Sequence, residues 1–293
     1  MTIVLFHSGN TLPEFLKYNF RQLRLFNPLT PIYFITDSGL MDSPLFNRYK
    51  IEPINKDLYY SESINCFNVL YGRGENDFWT ITATRLIYIA NFMHEQNIKN
   101  VFHFENDVLL YFNLKDYEKI FYRLYNRLAV TIGGPDKVMT GFMFIKNFWS
   151  LHHMTNFFIN LLMNNKLNEL KKIYGMDMVN EMTLMRVYRD EYPGFMRLLP
   201  ILPFGEFAEN YEDFESIFDP ASWGQFVGGT PSEGPGAKPE DHYIGQLLRQ
   251  HTEFDVIWKH NKYGKIPYFK YDSNEVKINN LHIHSKNLNL YIS

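Results

Sequence analysis

The sequence is poor in cysteine, in excess positive charge and in long apolar runs. One cysteine, Cys66, among 293 residues excludes an intramolecular disulfide and fits a reducing compartment. Lysine and arginine (29) do not outnumber aspartate and glutamate (32), and a formal charge of −3 lacks the basic excess that phosphate-backbone binding requires. No nucleic-acid partner is expected. No apolar run approaches the ~18 residues of a membrane span, so no transmembrane segment is expected. The opening "MTIVLFHSGN" has an apolar run of about five residues, with no basic flank and no small-residue cleavage site, and is not read as a secretory signal. A cytoplasmic setting is the expectation. Repeats, low-complexity tracts and a clear linker are also missing. What is plentiful is aromatic, 17 % of residues, in a chain long enough for one large domain.

The organisation reads as α/β. The continuous apolar runs "TIVLF" (2–6) and "PIYFITD" (31–37) suit parallel strands covered on both faces. Between them, "PEFLKYNFRQLRLFN" places Pro13 for a first helical turn and sets Leu16, Phe20 and Leu23 on one face. That is a βαβ unit. The pattern of 77–97 predicts a second helix, with Asp77 as N-cap, leading into the strand "VFHF" (101–104). Further strands are expected at 128–132, 141–145, 255–258 and 276–284, and helices near 115–126, 148–172, 177–189 and 240–250.

Within "NVFHFENDVLLYF" (100–112), Glu105 and Asp107 stand one residue apart at the end of a buried strand. In an open α/β sheet, ligands bind beyond the carboxyl ends of the strands. Two neighbouring carboxylates repel unless a proton or cation lies between them, and clustered oxygen ligands suit Mg²⁺ or Mn²⁺. Such an ion would bridge the oxygens of a diphosphate. The alternative is a surface turn with two solvated acids. Near the C-terminus, "NNLHIHSKNL" puts His282 and His284 on the same face of a strand, followed at once by Ser285 and Lys286. Imidazole is a good Mn²⁺ ligand and lysine a point charge for phosphate, so this cluster could close the site from the other side. Adjacency to Ser285 and Lys286 favours His284 of the two. Arg85 shares an apolar helix face with Phe78, Ile81, Ile89 and Phe92. A buried guanidinium needs an anion: a structural acid, a carboxylate of the strand end, or the nucleotide.

These motifs resemble those of the GT-A fold glycosyltransferases, which bind a nucleotide sugar through a DxD motif and a divalent metal. "FHFENDVLLY" is similar to that motif in Glu-Asn-Asp form, with Asp107 as metal ligand and Glu105 as a water-mediated ligand or ribose contact. "LHIHSKNL" resembles the C-terminal histidine segment that completes the metal site. "TGFMFIKN" (140–147) resembles the strand that borders the sugar pocket, at Gly141, and "FHSGN" (6–10) the nucleotide-contacting turn, with His7, Ser8 and Gly9. The resemblance implies a GT-A (Rossmann-like) mixed, mostly parallel sheet flanked by helices in a single domain. Residues 1–147 would be its nucleotide-sugar part, and 148–293 its acceptor side with the metal-completing strand. It implies Mn²⁺ or Mg²⁺, a UDP-sugar donor, and a glycan or other hydroxyl acceptor.

The stretch 203–240 is the least regular. It packs Gly224, Gly228, Gly229, Gly234 and Gly236 among prolines and is expected to be an acceptor-side or lid loop. Trp223 and Phe226 would stack on pyranose faces, while Asp219 and Gln225 would fix hydroxyls. If transfer inverts the anomeric centre, a carboxylate must take the acceptor's proton, and Asp219, Glu240 and Asp241 are the candidates. "KPEDHYIGQLL" resembles the Glu-Asp helix start that carries such a base, although acids in a first turn also favour the helix dipole with no catalytic duty. If transfer retains configuration, Asp177 or Glu181 of "GMDMVNEMTLM" would face the sugar. Two other classes stay open: a binding module that holds nucleotide or glycan without turnover, and a metal-dependent nucleotidyltransferase. The second is disfavoured, since "FHSGNTLPEFL" has one glycine and no lysine where a phosphate loop would need both.

Overall fold

The computed structural model describes residues 1–71, 77–174, 179–250 and 254–293. Its strands, in chain order, are β1 (Thr2–Phe6), β2 (Ile32–Thr36), β3 (Glu52–Asn55), β4 (Val101–Phe104), β5 (Val108–Leu110), β6 (Leu128–Gly134) and β7 (Lys137–Ile145). They continue with β8 (Met196–Leu198), β9 (Ser216–Ile217), β10 (Phe254–Asn261), β11 (Gly264–Tyr271), β12 (Asn274–Ile278) and β13 (Asn280–His282). The helices are α1 (Leu16–Phe26), α2 (Pro44–Tyr49), α3 (Glu62–Tyr71), α4 (Asp77–Glu95), α5 (Leu114–Leu124) and α6 (Phe148–Met163). After them come α7 (Leu167–Tyr174), α8 (Glu181–Glu191), α9 (Tyr211–Phe214), α10 (Trp223–Gly228) and α11 (Tyr243–Gln250).

The main sheet runs β3-β2-β1-β4-β7-β6-β8. The β1–β2, β2–β3, β1–β4 and β6–β8 pairs are parallel, while β7 is antiparallel to both its neighbours. Both faces are covered, which is why the strands read as unbroken apolar runs. Ile3 and Leu5 of β1 pack with Phe102 and Phe104 of β4 and with Leu16, Phe20 and Leu23 of α1. Val4 and Phe6 point the other way, into a cluster with Leu86, Ile89 and Phe92 of α4, Leu151 of α6 and Leu184 of α8. The 2-residue period of a strand thus divides one apolar run between two cores.

A four-stranded sheet, β10-β11-β12-β9, and the β13–β5 pair complete the chain. Two expected elements divide where the sequence places asparagine. The helix expected over 148–172 breaks after Met163, and Asn165 turns left-handed (φ 55°), as asparagine does at helix ends. The strand expected over 276–284 switches sheets at Asn279: β12 pairs with β11 and β9, and β13 with β5. The stretch 203–240 is also more ordered than a lid loop, since β9 and α10 lie in it and Trp223 is fully buried. None of the described helices is long and apolar enough to cross a membrane.

Candidate metal and nucleotide site

Strand β4 is buried along its whole length and ends at Phe104, so the backbone delivers Glu105 to the rim of the sheet. The Glu105 N–H donates to the Gly141 carbonyl (3.1 Å) and the Asn106 side chain to the Phe6 carbonyl (2.9 Å), tying the turn to β7 and β1. After Asp107 the chain leaves the main sheet as β5, whose antiparallel register sets His282 opposite Val108. The Ile283 N–H donates to the Asp107 carbonyl at 2.9 Å. A residue near the C-terminus is thereby held against the β4 turn.

The ligand atoms of Glu105, Asp107 and His282 all lie within 4.8 Å of one another. His282 Nε2 is 3.1 Å from Asp107 Oδ1 and 3.4 Å from Glu105 Oε2. Lys286 Nζ pairs with Asp107 Oδ2, and Arg85 Nη2 with Glu105 Oε1 at 2.7 Å. Burial opposes the charge on both acids, yet Arg85 and His282 hold the Glu105 carboxyl well below the usual carboxylate range, and His282 and Lys286 lower that of Asp107. The same acids raise His282 against the opposing effect of its burial. Two carboxylates and an imidazole converging in this way form a donor set suited to Mn²⁺ or Mg²⁺, and the acids stay ionised to receive one.

His284 lies beside His282, the two imidazole centroids 4.1 Å apart, but its ring is turned to another partner. β13 ends at His282, and the His284 N–H turns back onto the His282 carbonyl (3.1 Å), so the two-residue strand period no longer applies. Its Nδ1 accepts from Gln225 Nε2 at 2.7 Å, and burial with the adjacent His282 charge lowers its pKa to about 3. Of the two histidines, His282 rather than the expected His284 has a ring nitrogen within reach of both acids. Gln225, expected to fix a sugar hydroxyl, is taken up in orienting this ring.

Asp219 and Trp223 are also corrected. Asp219 Oδ1 accepts from the N–H groups of Ser222 (2.7 Å) and Trp223 (2.8 Å), and Oδ2 from those of Gly224 (2.9 Å) and His282 (2.8 Å). Burial pushes the carboxyl pKa up and these donors pull it down, but four donors occupy its lone pairs, so no acceptor direction is left for a substrate proton. The carboxylate clasps the start of α10 to the backbone of His282. Trp223 lies over Phe269 with ring centroids 4.7 Å apart and is not available to stack on a sugar.

Two glycines make room for His282. A Cβ on Gly141 would come within 2.7 Å of its Nδ1, and one on Gly224 within 2.1 Å of its carbonyl oxygen. Gly141, expected at a sugar pocket, is where the imidazole sits against β7.

Behind the acids runs a buried polar chain. Arg85 Nη2 also donates to Thr140 Oγ1 (2.8 Å), which donates to Glu181 Oε1 (3.4 Å), while Thr82 Oγ1 donates to Glu181 Oε2 (2.9 Å). Burial raises the Glu181 pKa, and the carboxylate is engaged with these threonines. Asp177 lies outside the described residues. Glu240 and Asp241 are exposed, and Asp241 is 3.5 Å from Lys137.

The adjoining strand ends carry a second polar group that sequence reasoning found only in part. Ser8 and Gly9 follow β1, Asp37 follows β2 and Lys56 follows β3. Lys56 Nζ bonds both Ser8 Oγ and Asp37 Oδ1 at 2.6 Å, and Asp37 Oδ2 accepts from the Gly9 N–H at 2.9 Å. His7 turns to the Thr11 carbonyl (2.8 Å). The signal available for Asp37 was its position at the end of the expected strand 31–37, while Lys56 carried none because β3 was not expected. Four neighbouring parallel strands therefore present polar side chains along one rim.

No protein-family model and no curated protein matches the chain. Among solved structures it is similar to apo mouse xyloside xylosyltransferase 1, at a TM-score of 0.49 and 10 % identity over 72 % of this chain and 91 % of that one. It is similar to the PaToxG glycosyltransferase at 0.43 and 12 %, over 66 % and 70 % of the two chains. An active-site mutant of LgtC gives 0.40 and 13 %, over 68 % and 72 %.

Proposed function

We propose that the chain is a metal-dependent glycosyltransferase of GT-A type, moving a sugar from a UDP-sugar to a hydroxyl group of a glycan or similar acceptor. The observation that carries this reading is the convergence of Glu105, Asp107 and His282 beyond the end of β4, with Lys286 on the outer acid. The pair, Asp107 buried and Glu105 half-buried, is compensated by the side-chain cations around it. A divalent ion held by these three residues would supply Lewis acidity toward the departing diphosphate.

The chain's own residues divide the rest of the work. Asp107 and His282 would hold the ion directly, and Arg85 fixes the Glu105 carboxylate in position. Lys286, half-exposed at the end of its reach, would exchange its contact with Asp107 for a phosphate oxygen. The Ser8, Gly9, Asp37 and Lys56 group would meet the nucleoside, its polar atoms trading internal partners for ribose and base. We assign 1–147 to the donor side and 148–293 to the acceptor side, with the exposed Glu240 and Asp241 as the carboxylates that would meet an acceptor.

A thermal-shift panel tests the reading: UDP, GDP and CMP, each with and without Mn²⁺, on the wild type and Asp107→Asn. A nucleotide at ~100 times its dissociation constant stabilises by about 2.7 kcal/mol. UDP is expected to raise the melting temperature only with Mn²⁺ and only in the wild type. Absence of any nucleotide shift would remove the centre of the proposal. With a UDP-sugar and acceptor, UDP released over time separates a transferase from a binding module.

A further inference from the structure

A cavity lies at the opposite rim of the main sheet from the metal site. Glu105 follows the last residue of β4, whereas Asn147 follows the end of β7, which is paired with the first residue of β4, and Arg127 immediately precedes β6. The length of β4, about 13 Å at 3.3 Å per residue, separates the two rims.

The cavity is about 500 Å³, the size that takes a small saccharide. One stripe of α6 forms its wall: Trp149, His153, Asn156 and Asn160, spaced four, three and four residues apart. Trp149 is 69 % exposed, an indole face turned to solvent beside polar planar groups. Asn156 Nδ2 is spent on His152 Nε2 (2.8 Å) and His153 Nδ1 on the Tyr188 hydroxyl (2.9 Å). That leaves Asn156 Oδ1, His153 Nε2 and the whole Asn160 amide without a partner among the described residues. Burial lowers the pKa of both histidines, helped at His153 by the Arg127 charge, so they stand as neutral imidazoles that both donate and accept.

Across the cavity the Arg127 guanidinium lies 3.6 Å from the centre of the Phe195 ring, and no acid pairs with it among the described residues. Its planar N–H edges are free, and that fork matches a carboxylate bidentately. A pyranose has an apolar C–H face that stacks on an aromatic ring and hydroxyls around its edge that need mixed donors and acceptors. A lone guanidinium adds selection for one negative charge, whereas a phosphate carrying nearly two would call for more cations.

We propose that this cavity is a saccharide site separate from the metal centre, and that it takes an acidic pyranose of the uronic-acid class, its ring on Trp149 and its carboxylate on Arg127. Such a site would hold a glycan chain at a distance from the reacting end. The proposal does not depend on the assignment of the metal site.

The test uses the full chain and two probes, methyl β-glucuronide and methyl β-glucoside, followed by tryptophan fluorescence and by saturation-transfer NMR. The glucuronide is expected to bind saturably, about tenfold tighter than the glucoside, with equal affinity in the wild type and Asp107→Asn. Trp149→Ala and Arg127→Gln should each weaken it by about tenfold or more while leaving the melting temperature and Mn²⁺ binding unchanged. No saturable binding, equal affinity for both probes, or binding that is lost in Asp107→Asn and kept in Trp149→Ala would each overturn the proposal.

Discussion

Asp107 and Asp219 are the same residue type at nearly the same burial, 3 % and 2 % exposed, and both hold His282. Asp107 faces its imidazole and Asp219 its backbone N–H. The difference lies in what saturates each carboxylate. Asp219 spends its lone pairs on four backbone donors that belong to the fold. Asp107 is met by two side-chain cations, Lys286 and His282, which can move or give up a proton when a stronger cation arrives. Burial alone thus says little about function. A buried acid satisfied by backbone is architecture, and one satisfied by mobile charges is available for chemistry.

Substitution should separate the two regions, and the largest effect is expected at Asp107. Asp107→Asn keeps the shape but gives up the charge pairs with His282 and Lys286, so transfer measured by UDP release should fall by roughly 10³-fold while the melting temperature falls less than in Asp219→Ala. Wild-type turnover in this variant would remove Asp107 from the site.

Asp219→Ala should do the reverse. It strands buried backbone donors, at a cost on the order of 3 kcal/mol, and lowers the melting temperature by at least about 6 °C. An unchanged melt would show that the clasp is not structural.

The histidines sharpen the same contrast. His282→Ala should weaken Mn²⁺ binding, followed by calorimetry, by about tenfold or more, and His284→Ala by less than about threefold. Equal losses would return His284 to the ligand set.

The smallest effect concerns cations. Lys286 has an acid in contact, whereas Lys277 lies over the rings of Phe112 (5.8 Å) and Tyr117 (5.6 Å), and burial, opposed by the charge of Asp116, lowers its pKa from 10.5 to about 8. Below pH 8 the amine is charged in both states and its buried charge destabilises the fold in full. Between pH 8 and 10.5 the folded state has lost the proton and the unfolded state keeps it, so stability rises with pH. Lys277→Met should therefore be the more stable protein at pH 7, by about 1 kcal/mol once the lost ring contacts are counted, with the gap closing within about one pH unit above 8 and reversing beyond it. A gap that does not change with pH would mean that Lys277 is charged throughout. Denaturant melts of both proteins across this range measure it.

Much of the first half was legible because its signals are local. β1, α1, β2 and β4 follow from apolar runs and a helical period, and Glu105 and Asp107 stand out because acids are rare after a buried strand. The short edge strand β3 and the hairpin strand β11 were not anticipated, since Pro53 and Pro267 weaken the strand pattern within them. Trp223, Gln225 and Asp219 were misread together. Their residue types suit a sugar site, and only packing shows that the ring is in the core, the amide on His284 and the carboxylate on backbone.

By itself the sequence determined the α/β class, the strand that ends in Glu105 and Asp107, and the C-terminal segment that supplies histidine and lysine, because periodicity and residue chemistry act over a few neighbours. Only the tertiary structure decided that His282 rather than His284 meets the acids and that Arg85 fixes Glu105. It also decided that Asp219 holds the strand in place. These outcomes depend on the register of β13 against β5 and on the space left by Gly141 and Gly224, contacts between residues far apart in the chain that no local pattern encodes.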